Sequence, residues 1–174
     1  MNEMDIVRAR MFATEAHLGQ YRKFTGEPYI MHPIRVAEMV AGVTDSKYAI
    51  IAALLHDVVE DSDFTTIDII NRFGITVSQM VSDLTDPPKG PERMMPSRCT
   101  RKNEIRRKLA SCCELVQTIK MADIIDNTKD LDMFDASFKE VYTAEQSALV
   151  LSLDKADPGL REIAANRLNI ELSL

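Results

Sequence analysis

The chain has 174 residues, 45% hydrophobic and 28% charged, with a formal net charge of -6. That is enough chain to close a sizeable core, and we expect one domain spanning residues 1–174. The acidic balance excludes a general nucleic-acid coat, and no apolar run approaches the roughly 20 residues of a membrane span.

The N-terminal stretch MNEMDIVRARMFATEAH mixes acidic and basic residues and lacks the apolar centre of a signal peptide, so the expected location is cytoplasmic. Residues 4–18 predict an amphipathic helix and 19–31, with two glycines and a proline, a loop. His32 then reads as an N-cap and Pro33 as the first residue of a helix reaching Met39–Ala41, where Gly42 suits the C-terminal cap. Residues 46–60 predict one continuous helix. Thr65 and Asp68 have capping-box spacing and start a short helix ending at Phe73 and Gly74. Thr76 and Gln79 repeat the signal, and Val77, Met80, Val81 and Leu84 follow on one face.

Residues 86–97, DPPKGPERMMPS, read as a surface loop. Helices are expected near 100–113, 114–130, 134–153 and 158–172, the last opened by Asp157 and Pro158. With no convincing strand or repeat, the class is all-α, a helical bundle. Cys99, Cys112 and Cys113 form neither a disulfide framework nor a zinc pattern, and read as partly buried apolar filler.

One helix carries an anomaly. YAIIAALL, residues 48–55, is apolar almost all round, which marks a helix buried on most sides. It runs directly into His56, Asp57, Glu60 and Asp61. Buried carboxylates are costly unless paired or bound to metal, and the only nearby cation, Lys47, sits at the other end of the helix. A divalent cation resolves this. Imidazole and carboxylate suit Mn, Fe or Zn, but one His-Asp pair cannot complete a coordination sphere. Of the other two histidines, His32 beside a loop is a natural ligand, whereas His17 reads as a surface or hydrogen-bonded residue.

Together, GEPYIMHPIRVAEMV, AALLHDVVEDSD and KMADIIDNTKDL resemble the HD-superfamily hydrolase domain of RelA/SpoT-type proteins, over roughly residues 5–155. The resemblance implies an HD-domain helical fold and hydrolysis of the 3′-pyrophosphate of guanosine tetra- or pentaphosphate, (p)ppGpp, by a metal-activated water. It implies Mn²⁺, or another divalent transition metal, held by His32, His56, Asp57 and Asp123. Glu60 and Asp61 match the acidic pair that positions or activates the water. Arg22 and Lys23 fall where the family packs an Arg-Lys pair on the guanine, and Asn127 matches the asparagine at the ribose. The family also has basic residues near the substrate phosphates. Most of the cluster RCTRKNEIRRKLA reads as a solvated helix face, but Arg101, Lys102 and Arg106 are the candidates for that contact.

The third motif departs from the family pattern. The family usually has Asp-Arg-Leu-His-Asn, or Asp-Lys-Leu-Tyr-Asn in animal small alarmone hydrolases; here it is Asp123-Ile124-Ile125-Asp126-Asn127. A cation is lost and an acid gained beside the ligand, which is expected to change the electrostatics of the pocket. With no room for a synthetase or regulatory domain, the expectation is a stand-alone hydrolase acting on a small nucleotide, with neither nucleic acid nor membrane as partner. Two alternatives stay open: an HD phosphohydrolase of another nucleotide, separated by the contacts of Arg22, Lys23 and Asn127, and a non-catalytic nucleotide-binding member. Retention of all four ligands and both acids weighs against the last.

Overall fold

A computed structural model describes residues 1–87 and 96–172. In chain order the helices are α1 (Glu3–Ala16), α2 (Met31–Ala41), α3 (Lys47–Leu55), α4 (Val58–Asp61), α5 (Thr66–Leu84), α6 (Arg98–Ser111), α7 (Glu114–Asn127), α8 (Ala136–Ser152) and α9 (Pro158–Leu168). No strand occurs among the described residues, only an isolated bridge between Tyr21 and Pro28. The all-α expectation holds. Most of the 86–97 loop lies outside the described residues.

The apolar helix α3 sits at the centre and touches α1, α2, α5 and α7. Ile51, Ala52, Ala53 and Leu55 are wholly buried, as a helix apolar on every face must be; Tyr48, at its start, is exposed. Ser46 caps it, its hydroxyl accepting from the Ala49 N–H. On the far side α7 packs against α2 and α9, and α8 packs against α6 and α9. Buried Gln117 of α7 joins these parts. Its amide donates to the carbonyls of Leu109, Ala110 and Cys112 at the end of α6, and its oxygen accepts from the Lys155 N–H.

Several boundaries differ from expectation, each for a local reason. Ile30, not His32, is the N-cap of α2. The Met31 and His32 N–H groups already donate to Pro28 and Tyr29, so the helix starts earlier and takes Pro33 into its first turn, where the missing N–H costs nothing. Those N–H groups are therefore occupied by the loop. The predicted 46–60 helix breaks after Leu55, because Asp57 takes φ -96°, ψ -7°, and a single new turn, α4, begins at Val58. The Thr65–Asp68 box forms as expected, and Gly74, at φ 80°, ψ 169°, breaks α5 into two helical halves where the first helix was expected to end. Asp157 caps α9 with Pro158 in its first turn, but α9 ends at Leu168 with Asn169 left-handed. Of the cysteines, only Cys112 is half-buried; Cys99 and Cys113 are exposed, because their helix-end positions face solvent.

Candidate metal centre

The break after α3 is what exposes the chemistry. His56 and Asp57 occupy the turn between α3 and α4, and His32 enters from the first turn of α2. Ligand atoms of these three lie within 4.8 Å of one another. His32 Nε2 is 3.2 Å from His56 Nε2 and 3.4 Å from Asp57 Oδ2, and His56 Nε2 is 3.2 Å from the same oxygen. Asp123 Oδ1, from α7, approaches His32 Nε2 at 3.1 Å and His56 Nε2 at 3.6 Å. Donor separations of about 3.0–3.5 Å are the edges of a tetrahedral or octahedral shell around a cation bound at about 2.0–2.2 Å. The His/Asp donor set thus fits a divalent metal.

The surrounding hydrogen bonds orient each donor. His56 Nδ1 donates to the Ala53 carbonyl at 2.8 Å, which can only accept, so Nε2 is the nitrogen available to a cation in the cluster. Asp123 is held from its own helix: Lys120 Nζ donates to Oδ2 at 2.7 Å and Asn127 Nδ2 to Oδ1 at 2.5 Å. The Tyr29 hydroxyl donates to Asp57 Oδ2 at 2.8 Å. Gly26, at φ +69°, allows the hairpin-like return that carries Tyr29, with Arg22 N–H bonded to the Glu27 carbonyl.

The electrostatics favour positive charge at this point. Burial alone would lower the pKa of His32, but hydrogen bonds to Asp123, Asp126 and Asp57 outweigh it and push the value up to about 9. His56 rises for the same reason, chiefly through the charge of Asp57. Burial would raise Asp123, yet the Lys120 ammonium and the two imidazoles hold it well below the usual carboxylate range. Glu60 and Asp61 behave oppositely. Both still reach solvent, but partial loss of water and the neighbouring charge of Asp57 raise their pKa values, which at Glu60 outweighs the lowering by the Asp86 N–H. Glu60 Oε2 also accepts from the Asp86 N–H at 3.2 Å.

The cluster opens into a cavity of about 710 Å³ between α4, α6, α7 and α8. His56, Asp57, Asp123, Glu60, Asp61 and Asn127 all line it. So do Lys102 and Arg106, whereas Arg101, half-buried on the same helix, is not among the lining residues. Arg22 and Lys23 do not line it either. Arg22 Nη1 donates to Asn127 Oδ1 at 2.9 Å and its guanidinium lies 5.8 Å from the Tyr29 ring; exposed Lys23 stands over Phe24. Lys120, which the sequence reading passed over, lines the cavity beside Asp123. Its position three residues before Asp123 was the available signal.

Two further residues refine the expectation. Of the two readings of His17, the hydrogen-bonded one holds: it is 3% exposed, tilted against Tyr29 at 4.9 Å, with Nδ1 bonded to Gln20 and Nε2 unpartnered. Phe12, Ala13 and Ala16 of the same helix are buried, which draws its C-terminal end into the core. Asp126, expected to alter the pocket, faces away from it. It is absent from the main cavity's lining and contacts the rear of His32, with Oδ2 2.7 Å from Nδ1. Arg35 and Lys129 offset its charge, so the exchanged acid does not add to the charge of the cavity wall.

Comparison with known proteins identifies a family. The family profile described as HD domain matches residues 9–149. A guanosine-3′,5′-bis(diphosphate) 3′-pyrophosphohydrolase of Aquifex aeolicus is 37% identical over 132 residues, covering 75% of this chain but 18% of that protein. The enzyme of the same name called MESH1, from Danio rerio, is 36% identical over 125 residues, 70% of this chain and 66% of the relative. Thus the chain spans less than a fifth of the Aquifex protein and just under two thirds of the zebrafish one. Among solved structures, a metazoan ortholog of SpoT described as hydrolysing ppGpp superimposes with a TM-score of 0.86 at 24% identity, over 97% of this chain and 96% of that one; it shares the fold.

Proposed function

Because the chain belongs to the HD-domain family, we propose that it is a metal-dependent (p)ppGpp 3′-pyrophosphohydrolase, with manganese as its metal and the cytoplasm as its location. The observation that carries the reading is the His32–His56–Asp57–Asp123 cluster opening, beside Glu60 and Asp61, into a cavity walled on another side by Lys102, Arg106 and Lys120. Relatives bearing that activity in their names support the substrate. Residues 1–174 act in this proposal as one HD-type domain.

A divalent ion held by the four ligands would lower the pKa of a bound water toward neutrality. The chain's own groups do the rest. Glu60, with its raised pKa and its carboxylate fixed by the Asp86 N–H, accepts the water's proton, and Asp61 orients the water. Lys120, Lys102 and Arg106 face the charge on the pyrophosphate oxygens. Arg22 and Asn127, already joined by a hydrogen bond, form one unit at the nucleoside end, and Lys23 packs on the base beside them. Arg101 supports the basic wall from outside the lining. Hydrolysis at the 3′ position of ppGpp gives GDP and pyrophosphate.

The test is metal analysis followed by a substrate panel in Mn²⁺ containing ppGpp, pppGpp, common nucleotides and NADPH. The expected result is about one transition metal per chain and release of pyrophosphate from the two alarmones. Intact ppGpp with another nucleotide cleaved would transfer the chemistry to a different substrate. Full activity without metal would overturn the mechanism.

A further inference from the structure

We propose that Asp126 is the positioning residue of the metal centre: it fixes the tautomer and aim of His32 and, with Arg35, Lys129 and Glu27, sets how tightly the cation is held. This inference rests on the metal reading above and adds to it a residue outside the ligand set.

The geometry brackets one imidazole between two carboxylates of a single helical turn. Asp123 Oδ1 lies 3.1 Å from His32 Nε2, and Asp126 Oδ2 lies 2.7 Å from Nδ1. Both acids belong to α7, three residues apart, and therefore share a face. An ionised carboxylate can only accept, so Nδ1 carries the proton directed at Asp126, and Nε2, which faces Asp123 and Asp57, is the nitrogen a bound cation would take in place of a proton. His32 is 1% exposed and Asp126 4%, so solvent competes little for this contact. A metal-ligating histidine whose other nitrogen donates to a carboxylate is a stronger and better-oriented ligand.

A buried carboxylate used this way needs compensation, and the fold supplies it from behind. Arg35, one turn after His32 on α2, donates through Nε to Asp126 Oδ1 at 2.6 Å and through Nη2 to Oδ2 at 3.1 Å. Its third nitrogen donates to Glu27 at 2.8 Å. Lys129 Nζ lies 3.4 Å from Asp126 and 3.8 Å from Glu27. Two acids and two bases thus close a ring of no net charge. This ring offsets the charge of the carboxylate that meets His32, and it locks α2 to α7, the helices that carry His32 and Asp123.

The experiment uses the full chain. Mn²⁺ affinity is measured by chelator competition for the wild type and for D126N, D126Y and D126E, with far-UV circular dichroism checking the fold of each. D126N and D126Y are expected to weaken binding about 10- to 100-fold, with D126E restoring part of the loss. In parallel, imidazole ¹⁵N spectra of the wild-type chain loaded with diamagnetic Zn²⁺ report the tautomer directly, so the test survives if a variant fails to fold. His32 is expected to be protonated at Nδ1 and bound through Nε2. A wild type that binds no metal overturns the metal reading itself. Metal binding in the wild type with unchanged affinity in folded D126N and D126Y, or with His32 bound through Nδ1, overturns only the role of Asp126.

Discussion

Replacing Arg35 by methionine tests whether the rear ring holds the metal centre together. The guanidinium makes two charge-assisted bonds, at 2.6 and 3.1 Å, to a carboxylate that is 3% exposed. Removing one partner of a buried ion pair costs about 3–5 kcal/mol, because the other charge stays buried. Asp126 would retain the His32 N–H and the Lys129 ammonium at 3.4 Å, so the expected loss is about 2–4 kcal/mol. The bond to Glu27, which is 31% exposed, adds under about 1 kcal/mol. At about 2–4 °C per kcal/mol for a domain of this size, Tm should fall by roughly 4–16 °C. The bonds to His32 and Arg35 hold the Asp126 pKa well below the usual carboxylate range even though burial would raise it. The stabilisation is therefore present above the unfolded carboxylate value, about 3.9, and lost only as pH falls through the depressed folded value, so unfolding at pH 7 reads all of it. Urea melts of the wild type, R35M, D126N and the double variant complete the cycle. R35M/D126N should recover much of the R35M loss, since no uncompensated charge remains, giving a coupling of about 1–3 kcal/mol. A loss below about 1 kcal/mol in R35M, or strictly additive losses, would refute the idea that Arg35 exists to offset Asp126.

Two other substitutions examine separate parts of the site. E60Q should retain the metal while turnover drops by about 10²- to 10⁴-fold; and because the pKa of Glu60 is raised, the acid limb of the wild-type rate profile should lie at higher pH than for an ordinary glutamate. Turnover of E60Q within tenfold of wild type, or a limb unmoved from the ordinary carboxylate range, would remove Glu60 from the proton transfer. Gly26→Ala should cost about 1 kcal/mol in urea unfolding. A Cβ there meets nothing within 4 Å, so the penalty comes from the left-handed backbone at φ +69° alone. An unchanged midpoint would show that the turn does not constrain the Tyr29 loop.

Much of the fold was legible because helical periodicity and capping are local. The Thr65–Asp68 box, the Gly74 kink and the Asp157-Pro158 start each depend on residues within a few positions of one another. The break between α3 and α4 was not legible, since the 46–60 pattern is compatible with one helix. The centre was partly legible. His56 and Asp57 stood out as ionisable groups where an apolar helix demanded none, and His32 as a histidine beside a loop. Asp123 came only with the family resemblance, because no local spacing links it to the others.

What the sequence determined by itself was therefore the all-α class, the central helix and the residue types able to hold a cation. Only the tertiary structure decided where the remaining charges point. Asp126 looked like an acid added to the pocket, and packing of α2 against α7 turned it to the back of His32, where it meets Arg35, 91 residues away in the chain. Arg22 likewise finds Asn127 across 105 residues. A periodic pattern fixes which face of a helix is buried, but the partner of a buried charge is set by which other helix lies against that face, and that is a property of the packed core.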